Sequence, residues 1–173
     1  MKIYLVRHAD ADAELPEGLG DEARALTAKA RGAVLTHFIE LASRVGKVDF
    51  IFTSPLVRTV QTAQLFSLAT RHEGPLKAHR SLLPDMPVGT LEALIHGHVG
   101  QDLVLVGHQP SMGALASHLL GMQSFPKPVN PGTVIALERA DEAPPRDTHE
   151  TPAPMAARLL FYAAPGQPIL ESL

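Results

Sequence analysis

The sequence predicts an α/β fold with a mostly parallel sheet, on three observations. Short apolar runs rich in β-branched and aromatic residues (Ile3–Val6, Val48–Thr53, Leu103–Val106) alternate with stretches of helical spacing. Each run stops abruptly at polar residues, Arg7-His8, Ser54-Pro55 and Gly107-His108 respectively. The C-terminal third then offers two more strands with no helix between them, which makes the sheet mixed.

Composition bounds the possibilities before any motif is read. At 173 residues the chain suits a single domain over residues 1–173 with a substantial core. Apolar residues at 45% and charged residues at 19% are ordinary for a soluble globular protein. The net charge of −3 supplies no broad basic field, so neither nucleic acid nor a membrane is an expected partner. With no cysteine there is no disulfide, thiolate metal site or thiol nucleophile. After Lys2 the apolar run lasts four residues before Arg7, too short for a secretory signal, and no run approaches bilayer length. A cytoplasmic location is the expectation.

The first strand reads through Ile3-Tyr4-Leu5-Val6 and delivers Arg7 and His8 at its C-terminal end, where ligands sit in open α/β sheets. Residues 9–23 are a loop by composition. Thr27 is an expected N-cap of a helix to Val45, with Val34, Phe38, Leu41, Ala42 and Val45 inward and Gly46 ending it. Its polar face carries Lys29, Arg31, His37 and Arg44, which makes His37 a solvated residue.

Val48–Thr53 is the second strand. Ser54-Pro55 then reads as an N-cap followed by Pro at the first helical position, opening a helix to about Ala69 with Leu56, Val60 and Ala63 inward. Leu76–Ala78 is a short strand. A helix over Thr90–His98 buries Leu91, Leu94 and Ile95; His96 and His98 fall on different faces, poor placement for a shared metal. Leu103–Val106 is followed by a helix from Ser111 to Leu120, with Met112, Leu115, Ala116 and Leu119 inward and His118 at the surface. Thr133–Leu137 and Arg158–Tyr162 are the last strands. Between them a charged, Pro-rich spacer, within which residues 139–154 are an expected mobile hairpin loop, precedes a tail at 163–173.

Right-handed crossovers bring the three strand ends to one edge of the sheet. Arg7, His8, Ser54, Arg58 and His108 then form a small cationic basket. The planar fork of arginine matches phosphate oxygens, so the basket suits a phosphoryl group, and a helix N-terminus near Ser54 adds N–H donors. Without Cys, a Mg²⁺ cluster or a phosphate-loop motif, the expected nucleophile is a neutral imidazole. His8, fixed beside Arg7, is the better placed of the two. His108, beside a glycine that permits close approach, would donate a hydrogen bond to the transferring group.

Leu5-Val6-Arg7-His8-Ala9-Asp10, Ser54-Pro55-Leu56-Val57-Arg58-Thr59-Val60-Gln61-Thr62-Ala63 and Val106-Gly107-His108-Gln109-Pro110 resemble the three motifs of the histidine phosphatase (phosphoglycerate mutase-like) superfamily. Leu26-Thr27 with Gly32 resembles that family's "LT…G" element, and the short length resembles its SixA-type phosphohistidine phosphatases. The resemblance implies a three-layer α/β/α sandwich around a mostly parallel mixed sheet. It also implies a phosphohistidine intermediate on His8, phosphoryl binding by Arg7, Arg58 and His108, and no metal or other cofactor. Ala9 stands where the family commonly has glycine.

A larger departure concerns the acid that protonates an ester's leaving group. Family phosphomonoesterases carry a Glu ahead of the third motif, whereas the comparable segment here is Ser81-Leu82-Leu83-Pro84-Asp85. That favours a P–N substrate: phosphohistidine on a partner protein such as a phosphotransfer or phosphocarrier domain. The alternatives are a small-molecule phosphomonoesterase with Asp85 or Asp10 as acid, and a phosphate- or phosphoprotein-binding module that does not turn over.

Overall fold

The computed structural model describes residues 1–15, 17–140 and 157–173. In chain order the elements are β1 (Lys2–Arg7), α1 (Ala28–Val45), β2 (Phe50–Thr53), α2 (Val57–Thr70), β3 (Leu76–Ala78), α3 (Val88–His96), β4 (Leu103–Gly107), α4 (Ser111–Leu119), β5 (Val134–Arg139) and β6 (Ala157–Ala163). Single 3-10 turns lie at Asp21–Ala23 and Arg80–Leu82. The six strands form one sheet in the order β3-β2-β4-β1-β5-β6. β3, β2, β4 and β1 are parallel; β5 and β6 run antiparallel to them. This is the α/β arrangement with a mixed, mostly parallel sheet that the sequence predicts.

Alternation along the strands explains the layers. Tyr4 and Val6 of β1, with Val104 and Val106 of β4, pack with Val34, Phe38 and Leu41 of α1 and Ala63 and Phe66 of α2. Ile3, Leu5, Leu103 and Leu105 face the other way, onto Leu91, Leu94 and Ile95 of α3 and Met112, Leu115 and Leu119 of α4. Each fully buried Val, Leu, Ile, Phe or Met among them stabilises the fold by about 1.5–3 kcal/mol relative to exposure. Among the described residues no helix is long and apolar enough to cross a membrane.

α1 begins and ends where its residues dictate. The Thr27 hydroxyl accepts the Ala30 N–H at 3.0 Å, and Gly46 at φ 68° closes the helix. Three expectations need correction. His37 is buried at 7% exposure, because the backbone of Ala163 in β6 covers it. α2 starts at Val57 rather than at Pro55, and Ser54 does not cap it. Its inward face is Arg58, Thr59, Thr62, Ala63 and Phe66, with Val60 only half-buried.

The C-terminal part differs in smaller ways. β5 continues through Arg139, which is buried, so the spacer begins later than expected; residues 141–156 of it lie outside the described residues. Residues 163–173, expected as a tail, return along β6. Tyr162 and Leu170 exchange N–H···O bonds at 2.7 and 2.9 Å, and Glu171 pairs with Arg44 of α1 at 2.8 Å.

Candidate active site

Register sets the geometry. Arg7 lies opposite Gly107, and Thr53 opposite Val106, so β1, β4 and β2 end level with one another. The chain continues past each end with one more ladder bond: His8 N–H to Gly107 O at 3.0 Å, and Ser54 N–H to Val106 O at 3.0 Å. β4 is the middle strand, so His108 emerges between His8 and Ser54. The two imidazole centroids are 5.2 Å apart, edge to face, and His108 Nε2 lies 2.9 Å from Ser54 Oγ.

The first helix after β2 supplies the remaining supports. Thr62 Oγ1 accepts the Ala9 N–H at 3.1 Å and donates to the Arg58 carbonyl at 2.7 Å, tying the loop after His8 to α2. Gln61 Oε1 accepts the Leu26 N–H at 2.8 Å, which docks the "LT" segment on the same helix. Arg58 is only 4% exposed; its Nη1 donates to the Asp21 carbonyl at 2.9 Å and its Nη2 to Asp21 Oδ2 at 3.0 Å. Asp21 Oδ1 in turn accepts from Arg24 Nε at 2.7 Å. On the other side Arg7 Nη1 donates to the Val129 carbonyl at 2.8 Å. Gly132 donates its N–H to the Arg7 carbonyl at 3.1 Å from a backbone at φ 81°, where a Cβ would also strike Pro165 at 2.9 Å.

Burial and neighbouring cations decide the charge of both rings. Burial above all pushes His8 down to about 4, with Arg58, Arg7 and Arg24 adding to the effect against the Ala9 hydrogen bond. Burial likewise pushes His108 down to about 3, helped by His8 and Arg58. Both imidazoles are therefore neutral near pH 7. His8 Nδ1 lies 2.7 Å from the Ala9 carbonyl, which only accepts, so in the neutral ring Nδ1 carries the proton and Nε2 the lone pair. A neutral imidazole with its lone pair on Nε2, within reach of the charges of Arg58 and Arg7, is chemically competent as a nucleophile.

The structure thus gathers Arg7, His8, Ser54, Arg58 and His108 at one edge. Ser54, expected to bind phosphoryl, is fully buried with its hydroxyl on His108. The space beside Gly107, expected to admit a close approach, is filled by the Met112 methyl, 2.8 Å from where a Cβ would stand. Of the candidate acids, Asp10 is exposed and its charge reaches Arg7. Asp85 sits exposed in the turn before α3 at φ 62°, without a hydrogen bond or ion pair to the basket. His96 and His98 contact main-chain carbonyls of α3, and His118 faces Glu92 at 3.3 Å. Among the described residues no group of three or more His, Asp or Glu could hold a metal ion.

Sequence reasoning missed Asp21, Arg24 and Thr62. Thr62 stands in the second motif four residues after Arg58, a spacing that returns to the same helix face. Asp21 and Arg24 lie in a loop without periodicity and carried no signal.

Residues 3–83 match the model of the histidine phosphatase superfamily, branch 1. The matched segment holds Arg7, His8, Ser54 and Arg58, while His108 lies beyond it. Solved structures of similar fold include an Agrobacterium tumefaciens protein assigned as the phosphohistidine phosphatase SixA, 23% identical with a TM-score of 0.76 over 95% of this chain and 97% of that one. The protein histidine phosphatase SixA complexed with tungstate is 15% identical, with a TM-score of 0.76 over 99% and 97% of the two chains. A mycobacterial glucosyl-3-phosphoglycerate phosphatase is 14% identical, with a TM-score of 0.61 over 91% and 96%. At these identities the likeness is one of fold. No curated protein sequence matches the chain.

Proposed function

We propose that the chain is a phosphatase that works through phosphohistidine on His8 and removes the phosphoryl group from phosphohistidine in a partner protein. The observation that carries the reading is the His8 ring, neutral and tied through Nδ1 to Ala9, with its edge or face on His108 and within reach of the charges of Arg58 and Arg7. In the first step the Nε2 lone pair forms a P–N bond while the substrate's own P–N bond breaks. The leaving imidazole keeps that electron pair and departs neutral from protonated phosphohistidine. In the second step a water oxygen bonds to phosphorus, the P–Nε2 pair returns to His8, and the water proton passes to the phosphate or to solvent. Arg7 and Arg58 hold the equatorial oxygens, His108 donates to one of them, and Ser54 positions His108.

A P–N substrate is supported by Pro84 at the place of the family's acid and by the exposed, unconnected Asp85. The alkoxide that leaves when an ester's P–O bond breaks needs a proton; an imidazole leaving from protonated phosphohistidine needs little help. A second reading, hydrolysis of a small phosphomonoester, rests on Asp10, whose charge reaches Arg7. The proposal includes a cytoplasmic setting and a phosphotransfer or phosphocarrier domain as the partner.

Purified chain is incubated with a phosphohistidine-bearing carrier domain and, separately, with p-nitrophenyl phosphate. Release of phosphate from the carrier, with an acid-labile phosphoryl group trapped on the chain and absent from His8→Ala, is the expected result. Turnover of the ester alone, abolished by Asp10→Asn, would establish the second reading instead. Phosphate binding without turnover of either substrate would leave a binding module.

A further inference from the structure

Arg58 poses a problem that the phosphoryl reading alone does not solve. Its guanidinium is 4% exposed, and a buried cation without a counter-charge is strongly destabilising. That counter-charge comes from Asp21. One carboxylate serves two guanidinium groups, Oδ2 to Arg58 at 3.0 Å and Oδ1 to Arg24 at 2.7 Å. This is the way two oxygens of a phosphoryl group would be held between the same cations.

The rest of the contact shows that the carboxylate can yield. The Asp21 side chain is 62% exposed, so water is ready to solvate it when it swings away. The main-chain carbonyl of Asp21 holds Arg58 Nη1 independently at 2.9 Å, so the guanidinium does not lose its orientation when the side chain leaves. The hydrogen bond from Arg24, before the one from Arg58, holds the Asp21 carboxyl below the usual carboxylate range, which keeps it ionised at working pH. Its charge is also felt at His108. A phosphoryl dianion entering the basket therefore meets a negative charge already seated at its edge.

We propose that Asp21 is a resident counter-anion of the pocket, neutralising Arg58 and Arg24 when the site is empty and loosening the hold on phosphate when it is full. The inference rests on the phosphoryl-binding reading and deepens it. Three guanidinium groups whose charges all reach His8 would make departure of a released phosphate slow, and a carboxylate that returns to Arg58 and Arg24 offsets that grip. Asp21 acts through the two arginines and is a positioning and affinity-setting residue.

The test measures binding of inorganic phosphate and of orthovanadate by calorimetry to the full chain, and to Asp21→Asn and Asp21→Ser, with melting curves at zero and saturating phosphate. Both variants are expected to bind the anions about five- to tenfold more tightly, the size of effect of a solvent-exposed charge at close range. They melt lower than the parent without phosphate, and phosphate closes most of that gap. Affinity that is unchanged or weaker in a folded variant overturns the proposal, because a carboxylate that merely orients Arg58 would give that result. The binding readout is independent of turnover. If the parent hydrolyses nothing but the variants bind phosphate more tightly, the phosphatase reading falls and this one stands. If the parent is active and the variants bind no tighter, this one falls alone. If no form binds either anion, both fall.

Discussion

The imidazole at the end of β1 and the imidazole at the end of β4 share a pocket, yet their partners differ in kind. His8 rests on a main-chain carbonyl at 2.7 Å, an acceptor only, which leaves its ring one neutral tautomer. His108 rests on the Ser54 hydroxyl at 2.9 Å, which both accepts and donates, so its ring is free to exchange tautomers as the hydroxyl turns. The same burial that keeps both rings uncharged therefore prepares them for different work. The ring with one fixed lone pair suits bond formation; the ring on a rotatable partner suits adjusting to a changing oxygen.

The largest break in that comparison is His8→Ala. It should lower turnover by about 10³-fold or more while phosphate binding, carried by Arg7 and Arg58, persists; calorimetry beside a turnover assay reads both. His108→Gln should lower kcat by about 10²–10³-fold, the loss typical of one transition-state donor, and should still allow phosphorylation of His8 to be trapped. If His108→Gln abolished the trapped species and His8→Ala did not, the two roles would be exchanged. Ser54→Ala, which removes the turning hydroxyl, should cost about tenfold in kcat with little change in KM.

The pH profile sharpens the comparison with the smallest effect. Because both rings lie far below an ordinary imidazole, the acid limb that His8 contributes to kcat/KM should fall at about 4, well below the limb set by the substrate's own imidazole. Loss of the limb near 4 in the parent would mean that the rings are exposed. Stability follows the same sign: below about 6.5 the unfolded chain takes up protons that the folded rings refuse. The melting temperature should therefore drop between pH 6.5 and 4, and less steeply in a His108→Gln variant.

Much of this was legible before any coordinates. β1 and β4 are apolar runs cut off by Arg-His and Gly-His, and a parallel sheet needs little more to bring those ends together. α1 announced itself at both termini, through Thr27 and Gly46. What escaped was settled by distant chain. Ser54-Pro55 has the local form of a helix start, but the serine hydroxyl is claimed by His108, 54 residues on, and the helix begins at Val57. His37 sits on the polar face of α1 by period, but β6 arrives from the far end of the chain to cover it. Asp21 and Arg24 belong to a loop whose only order is the arginine it contacts, so spacing could not reveal them.

One hydroxyl, that of Thr62, joins the Ala9 amide just after His8 to the carbonyl of Arg58. The backbone that follows His8 and the backbone that carries Arg58 are thereby geared together: a shift of either is passed to its counterpart through one hydroxyl. Thr62→Val would uncouple the gear while keeping its volume nearly constant. The result would be a chain that folds and still binds anions, but whose attack on phosphorus is out of time with its stabilisation.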